Sequence, residues 1–350
     1  MATKLGASVD ISTILAKTFD LKARTQANRS APFLKWLPKR AYAGKAIDWK
    51  VYGPGRTAAA FASGADAPSS SDDVPLAPTL SWARYHTTIE IAFDALIAAI
   101  NAPNRDQAVQ DLFEDEVMQA AGVIANTIET ALFAGDGTSN AIAGVGIGID
   151  AATTGNDYAG IDVSTYTSWV STEYGTAGSE LAMTLPTFAT FHQNMFTTFG
   201  APLANEAGDA WWTTPANYAK FQGLLGANPY QIVNQGGVAL QGGASSLGFD
   251  GVPVFRSQKC TTDTLYGVRR ANVEFRFMPV MQVNGMPLQN SRDMVAGPLG
   301  AEEPTEVMFH FNELGRSGAA VKYQVWVQCQ LVVRDRIAHG VWHVDTDGTA

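Results

Sequence analysis

The sequence predicts a mixed α+β fold hung on one unusually long helix, and three observations carry that expectation. Residues 104–134 form a single amphipathic pattern. Val109, Leu112, Phe113, Val117, Ala120, Ile124, Ile128 and Leu132 recur at three- and four-residue steps, and Asp111, Glu114, Asp115 and Glu116 fall largely outside that stripe. Two segments of alternating β-branched and aromatic residues flank a long stretch rich in Gly, Ala, Pro, Ser and Asp, the pattern of a two-stranded ribbon. Near the C-terminus, Lys322, Gln324, Trp326, Gln328 and Gln330 alternate with Val321, Tyr323, Val325, Val327, Cys329 and Leu331, as in a long strand with one face in a core and one partly wet.

Taken in order, residues 1–44 offer a short helical piece from Ile11 to Leu21 and then an apolar segment, Ala31 to Pro38, pinned by prolines. From Lys45 the pattern alternates, with Ile47, Trp49 and Val51 on one face. A partner begins at Thr79, with Leu80, Trp82, Thr87, Ile89, Ile91 and Phe93. An isolated two-stranded ribbon is marginal in water. No third strand is adjacent in sequence, so the ribbon is expected to project and to pack on another copy of the chain. The loop from Gly53 to Pro78 is long enough to be expected to be either functional or disordered. The long helix starts with Asn104 as cap and Gln107 three residues on, a variant capping box. It stops at Gly135, where a left-handed residue is wanted. Beyond it come a glycine-alternating stretch to Ile149, a turn-rich region to about Ser179, a helix from near Pro186 to Phe199, a strand at Trp211 to Thr214, and a helix opened by Pro215. A turn into a strand follows at Leu247 to Val254, then two strands between Thr264 and Val283 with a turn near residues 270–272.

Composition narrows the function classes. Forty-six per cent hydrophobic residues in a chain of 350 supply a core for one large or two ordinary domains. No run of eighteen apolar residues occurs and the start lacks the apolar core of a secretory signal, so the chain is expected to be soluble and intracellular when made. Cys260 and Cys329 have neither CxxC nor Cys/His spacing and are expected as buried thiols. Residues 1–56 carry eleven Lys and Arg against three Asp, a net of +8, which leaves −17 on the rest of a chain totalling −9. A basic arm of this kind contacts nucleic acid or lies across an acidic surface of its own or a neighbouring subunit. The even scatter of single charges favours the second.

Catalytic patterns are sparse. Gly144-Val145-Gly146-Ile147-Gly148 resembles half a dinucleotide fingerprint, but it follows a helix and is expected to run into a loop. The stretch from Gly135 to Asn140 carries oxygen ligands without calcium-loop spacing and reads as a helix stop and turn. His86, His192, His310, His339 and His343 show no helical zinc spacing, and neither a phosphate loop nor a nucleophile elbow occurs. Asp72-Asp73 and Glu302-Glu303 read as solvated. The chain is therefore expected not to be an enzyme and to hold no cofactor or metal. An enzyme alternative would draw on His192, Trp211 and Asp250 brought together.

The order of basic arm, projecting loop, long helix, mixed domain and returning strand resembles the major capsid proteins of tailed bacteriophages, the Hong Kong 97-like fold. The pieces that carry the resemblance are Glu129 to Thr138 with Ala143-Gly144-Val145, Gly248 to Val254, and Tyr323 to Val344. It covers nearly the whole chain. It implies an N-terminal arm at 1–44, an extended loop at 45–93, a peripheral domain with its spine helix at 94–144, an axial domain at 145–300 and returning peripheral strands at 301–350. It implies self-assembly into hexamers and pentamers of an icosahedral shell around double-stranded DNA, in a virion assembled in the host cytoplasm. A separate scaffolding protein, a portal and a cement protein are the implied partners, with no membrane. The residues expected at assembly interfaces are Trp49, Trp82, Ile89, Glu114, Asp115, Lys35 and Arg40. Rival readings are an encapsulin-like shell around protein cargo, the α/β enzyme above, and a phage tail or adhesion component.

Overall fold

A computed structural model describes residues 31–51, 76–101, 104–149, 157–162, 166, 169–176, 179–204, 207–226, 247–279, 282–283, 286–287, 308–317 and 320–345. In chain order the elements begin with α1 (Pro32–Trp36), β1 (Lys39–Ala41), β2 (Ile47–Asp48), β3 (Thr79–Leu80), β4 (Ala83–Ala92), α2 (Phe93–Ile100), α3 (Arg105–Ala134) and α4 (Val145–Gly148). Then come β5 (Thr172–Tyr174), β6 (Leu181–Ala182), α5 (Leu185–Phe199), β7 (Ala210–Thr213), α6 (Pro215–Gly226), β8 (Leu247–Phe249), β9 (Val252–Arg256), β10 (Thr264–Val268) and β11 (Val273–Phe277). The chain continues through β12 (Gln282–Val283), β13 (Met286–Pro287), β14 (His310–Ser317), β15 (Ala320–Val333) and β16 (Gly340–Asp345). The helix expected at Ile11 to Leu21 and most of the loop after Gly53 lie outside the described residues.

The apolar stripe is the buried face of α3, a helix of 30 residues and so about 45 Å long. Val117, Ala120, Ala121, Ile124, Ala125, Ile128, Leu132 and Phe133 are all buried. Its segment Asp111–Ala134 is long and apolar enough to cross a membrane by length and composition, but half of it is covered by the protein, which marks a core helix. Its ends differ from the sequence reading. Asn104 stands at the N-cap position without a side-chain capping bond, and Gly135 is extended (φ −69°), not left-handed. Glycine is required there for space: a Cβ would sit 2.2 Å from the Ile142 carbonyl oxygen and 2.5 Å from that of Ala131. Gly144 is needed for the same reason, its Cβ falling 2.6 Å from the Ala131 oxygen, as the chain folds back over the end of the helix. The half-fingerprint then forms the single turn α4 where a loop was expected.

β15 organises the first sheet. One edge pairs antiparallel with β4 over ten residues, Ala320↔Ala92 to Cys329↔Ala83. Cys329 is also in register with Phe277, so the opposite edge is shared end to end by β14 and β11, and β1 adds to β11 in parallel. This corrects the expectation for the ribbon. Its second strand is zipped into a sheet of its own subunit, and only the short β2–β3 pair and the Val51↔Leu76 bridge retain hairpin pairing. The strand also ends one residue early. Phe93 begins α2, a helix the alternation did not reveal.

The second sheet runs β5-β16-β10-β7-β9-β8, with β6 beside β16. The two strands expected between Thr264 and Val283 exist, yet β10 belongs to the second sheet and β11 to the first. β15 and β16 divide in the same way. The chain thus crosses between the sheets three times, once through α2, α3 and α4 and twice through the turns at Arg270–Asn272 and Arg336–Ala338, which are tied by Arg334 N–H donating to the Asn272 carbonyl at 2.8 Å. One apolar core unites α3 with both sheets, and a smaller one, with Phe188, Phe191, Trp211, Phe221 and Trp342, lies under α5 and α6. α5 begins as the sequence implies: Pro186 is in its first turn and Thr184 forms a capping box with Thr187.

Candidate assembly surface

The described residues show two surfaces that the fold does not itself satisfy. The first is α2. Its sequence Phe-Asp-Ala-Leu-Ile-Ala-Ala-Ile is almost wholly apolar, yet none of its residues is buried, and Ile97 and Ile100 are 53% and 45% exposed. Val123 on α3 is likewise exposed. Apolar surface of this kind stays in water at a cost of roughly 25 cal/mol per Å².

The second surface is charged. Glu274 and Arg276 alternate on β11, so both point to one face, and β1 places Arg40 opposite Arg276. Arg334 arrives from beyond the end of β15. Three guanidiniums therefore surround one carboxylate. Arg40 and Arg334 approach Oε1 at 3.4 and 3.1 Å, and Arg276 Nε donates to Oε2 at 3.2 Å. The Glu274 side chain is 2% exposed, whereas those of Arg40 and Arg334 are 63% and 48% exposed. Arg276 also stacks over the Tyr42 ring at 4.9 Å, and the Tyr42 hydroxyl donates to Asp48 at 2.6 Å. The hydrogen bond to Asp48 raises the Tyr42 pKa, and burial adds to it.

Of the residues expected at interfaces, Lys35 and Asp115 are exposed and Arg40 is in this cluster. The Glu114 side chain lies outside the described residues. Trp49, Trp82 and Ile89 are buried within the subunit: Trp49 packs near Tyr158, the Trp82 indole N–H donates to the Gly44 carbonyl at 2.8 Å, and Ile89 faces the core from β4. Trp49 and Trp82 pack at the root of the ribbon and Ile89 further along β4, each with under a tenth of its surface exposed. Sequence reasoning missed Glu274, Arg276 and Arg334. Only the Glu-x-Arg spacing on a strand signals them, because Arg334 is distant in sequence.

The groups named for the enzyme alternative do meet. His192 Nδ1 lies 3.2 Å from Asp250 Oδ2, and its ring is edge-on to Trp211 with centroids 5.8 Å apart. Burial lowers the His192 pKa and Asp250 opposes that shift. Nε2, the nitrogen that would do chemistry, is buried without a hydrogen-bond partner, and the ring is also edge-on to Phe249. Among the described residues no hydroxyl or thiol is bonded to this histidine. The trio anchors the β8–β9 turn on α5. The two thiols, Cys260 and Cys329, are free and buried, and burial pushes Cys260 up to about 12, far from thiolate chemistry. Asp136 spends both oxygens on Thr138, at 2.9 Å from its N–H and 2.7 Å from its hydroxyl, as a turn residue does. Among the described residues no three His, Cys, Asp or Glu gather as metal ligands. A cavity of about 480 Å³ opens where α1, α3 and the end of β9 meet, lined by Pro32, Glu129, Arg256 and Lys259 among others.

No protein-family model matches the sequence, and no curated protein matches it either. Solved structures do match. The chain is similar to one in the cyanophage A-1(L) capsid asymmetric unit at 17% identity and a TM-score of 0.66, covering 91% of this chain and 93% of that one. It is similar to the capsid of the native GTA particle at 9% identity and a TM-score of 0.56, covering 90% of each. It is also similar to the holo-SrpI encapsulin complex from Synechococcus elongatus at 13% identity and a TM-score of 0.54, covering 91% and 89%. The fold is therefore the Hong Kong 97-like fold, matched over about nine-tenths of the chain.

Proposed function

We propose that this chain is a structural shell protein, the major capsid protein of a tailed phage, and that it is not an enzyme. The observation that supports this reading is the likeness to capsid chains over nine-tenths of the molecule, with nothing large left over for another activity. The unburied apolar helix α2 supports it as well, since such a surface is covered when copies meet. In this reading the β15 sheet with α3 is the peripheral domain, which takes in β11 from within 145–300, and the β10–β16 sheet with α5 and α6 is the axial domain around which hexamers and pentamers close, which takes in β16 from within 301–350. Double-stranded DNA fills the icosahedral shell, and the virion is assembled in the host cytoplasm with a separate scaffolding protein, a portal and a cement protein. Function then lies in assembly. Each contact is modest, and a closed lattice multiplies it.

The likeness to an encapsulin favours one second reading, a shell around protein cargo. Expression of the chain alone and with its genomic neighbours, followed by sizing chromatography and negative-stain electron microscopy, tests both. Closed shells, tubes or capsomer rings are expected, and DNA content separates the phage reading from the cargo reading. A monodisperse monomer or small oligomer in both preparations overturns the two together.

A further inference from the structure

The arginine cluster is unbalanced. Among the described residues Arg40, Arg276 and Arg334 share the single carboxylate of Glu274, an excess of two positive charges in direct contact, with Asp48 beyond the Tyr42 ring as the next acid. Arg276 is itself nine-tenths buried, and its Nη1 has no hydrogen-bond partner among the described residues. That nitrogen is closed off from solvent, so the groups within reach of an outside acceptor are the exposed Arg40 and Arg334. Arg40 and Arg334 hold the same Glu274 oxygen, at 3.4 and 3.1 Å, so their nitrogens stand no further apart than those two lengths laid end to end, about 6.5 Å.

The chain carries a matching acidic pair. Asp111 and Asp115 are four residues apart on α3, hence on one helical face with Cβ atoms about 6 Å apart, and both are exposed with no ion pair among the described residues. They do not reach the arginines of their own subunit. Phe113, between them, packs on Tyr323 near the start of β15, with ring centroids 5.4 Å apart. Arg334 follows the other end of that strand, about 35 Å away at roughly 3.3 Å per residue. At the near end, Lys322 is engaged by Glu90 at 3.1 Å.

We propose that the Arg40–Arg276–Arg334 cluster on Glu274 receives Asp111 and Asp115 from α3 of a second copy of this chain. The two patches are different surfaces, so the contact is head-to-tail and propagates into rings or closed shells. This inference rests on the shell reading and gives it a specific charged contact. Two guanidiniums meet two carboxylates at matched spacing, and the excess charge of the cluster is neutralised. The contact weakens with salt because its outer members are exposed.

The test is charge exchange in the full chain, read as particle yield by sizing and negative-stain microscopy. R40E and D115R are each expected to lower particle yield about tenfold or more while the subunit stays folded by circular dichroism. The combined R40E/D115R chain is expected to recover it. Arg40→Gln with Arg334→Gln, which leaves Glu274 to Arg276, covers the case in which R40E does not fold, and it too should lose particles. Wild-type particles together with unimpaired R40E or Gln-pair particles overturn this contact alone. Loss in each single variant without recovery in the combined one also overturns it. Were packaged nucleic acid the anion instead, D115R particles would form normally. A wild-type chain that forms no ring or shell overturns the shell reading and the contact with it.

Discussion

Glu129→Ala should destabilise the subunit by about 3 kcal/mol, because this fully buried carboxylate is the bond between the long helix and α1. Its Oε1 accepts from the Phe33 N–H and the Ser257 hydroxyl, both at 3.0 Å, and its Oε2 accepts from the Leu34 N–H at 2.9 Å. Phe33 and Leu34 open α1, where backbone N–H groups have no partner within the helix and a negative charge is favoured. Alanine leaves two buried N–H groups without an acceptor, at about 1–2 kcal/mol each, and strands the hydroxyl, which can turn elsewhere. The burial that raises the Glu129 pKa is relieved at the same time, which sets the total nearer 3 than 5 kcal/mol. Glu129→Gln keeps one oxygen for Phe33 and Ser257 and turns an NH₂ towards Leu34, so it should cost about 1–2 kcal/mol. Urea unfolding of the isolated subunit at pH 7, with the slope unchanged between variants, measures both. A loss below about 0.5 kcal/mol for alanine, or a glutamine variant as damaged as the alanine one, would refute the claim that these three bonds tie α1 and Ser257 to the helix.

Gly135→Ala, whose Cβ meets backbone oxygens at 2.2 and 2.5 Å, should cost more than about 3 kcal/mol in the same assay. Gly223→Ala in α6, with open space around the new methyl, should gain about 0.5–1 kcal/mol, and a gain at both positions would discredit the steric reading of Gly135. His339 accepts the Arg269 N–H at 3.1 Å through Nδ1, and burial, reinforced by the charge of Arg269, lowers its pKa to about 3. Its folded pKa lies below the unfolded value of about 6.5, so its stabilisation is complete above pH 6.5 and is lost as pH falls towards 3. The stability gap between wild type and His339→Gln should therefore narrow by about 2 kcal/mol from pH 7 to pH 5, and a constant gap would contradict a neutral buried imidazole. Ile97→Asp with Ile100→Asp should leave subunit melting unchanged and abolish particles by electron microscopy; normal particles would remove α2 from the interface.

Local pattern made much of this legible. α3, β15, α5, α6 and the β8–β9 hairpin follow from periodicity, prolines and the Asp250-Gly251 turn, whose φ values of 48° and 82° suit those residues. Partner choice was not legible. β10 and β11 are buried on both faces, so their alternation is silent about which sheet each joins. The ribbon misled for a related reason. Its second strand finds a partner more than two hundred residues away, and short-range reasoning supplied another copy instead. α2 escaped because an apolar octapeptide with no polar spacing reads as a continuation of the strand before it. Arg40, Lys35 and Asp115 could be named as exposed charges, but their counterpart could not: Glu274 looks like any strand glutamate until β1 and the end of β15 converge on it.

The placement of these surfaces follows from β15. The strand is paired over most of its length on both edges, so the sheet behaves as a stiff plank with α3 lying along it. A pair of unlike charge patches held about 35 Å apart on such a plank cannot cancel within a subunit, and neither can drift towards the other. In the proposed contact their attraction acts between copies, at a separation the backbone hydrogen bonds fix. The subunit has two apolar cores of its own, and exposed ion pairs alone bind weakly. On the shell reading the apolar face of α2 would supply the non-directional part of the proposed contact, and the charges its register. Weak, oriented contacts let a misplaced copy leave before the lattice closes, which is the condition for a regular shell rather than an aggregate.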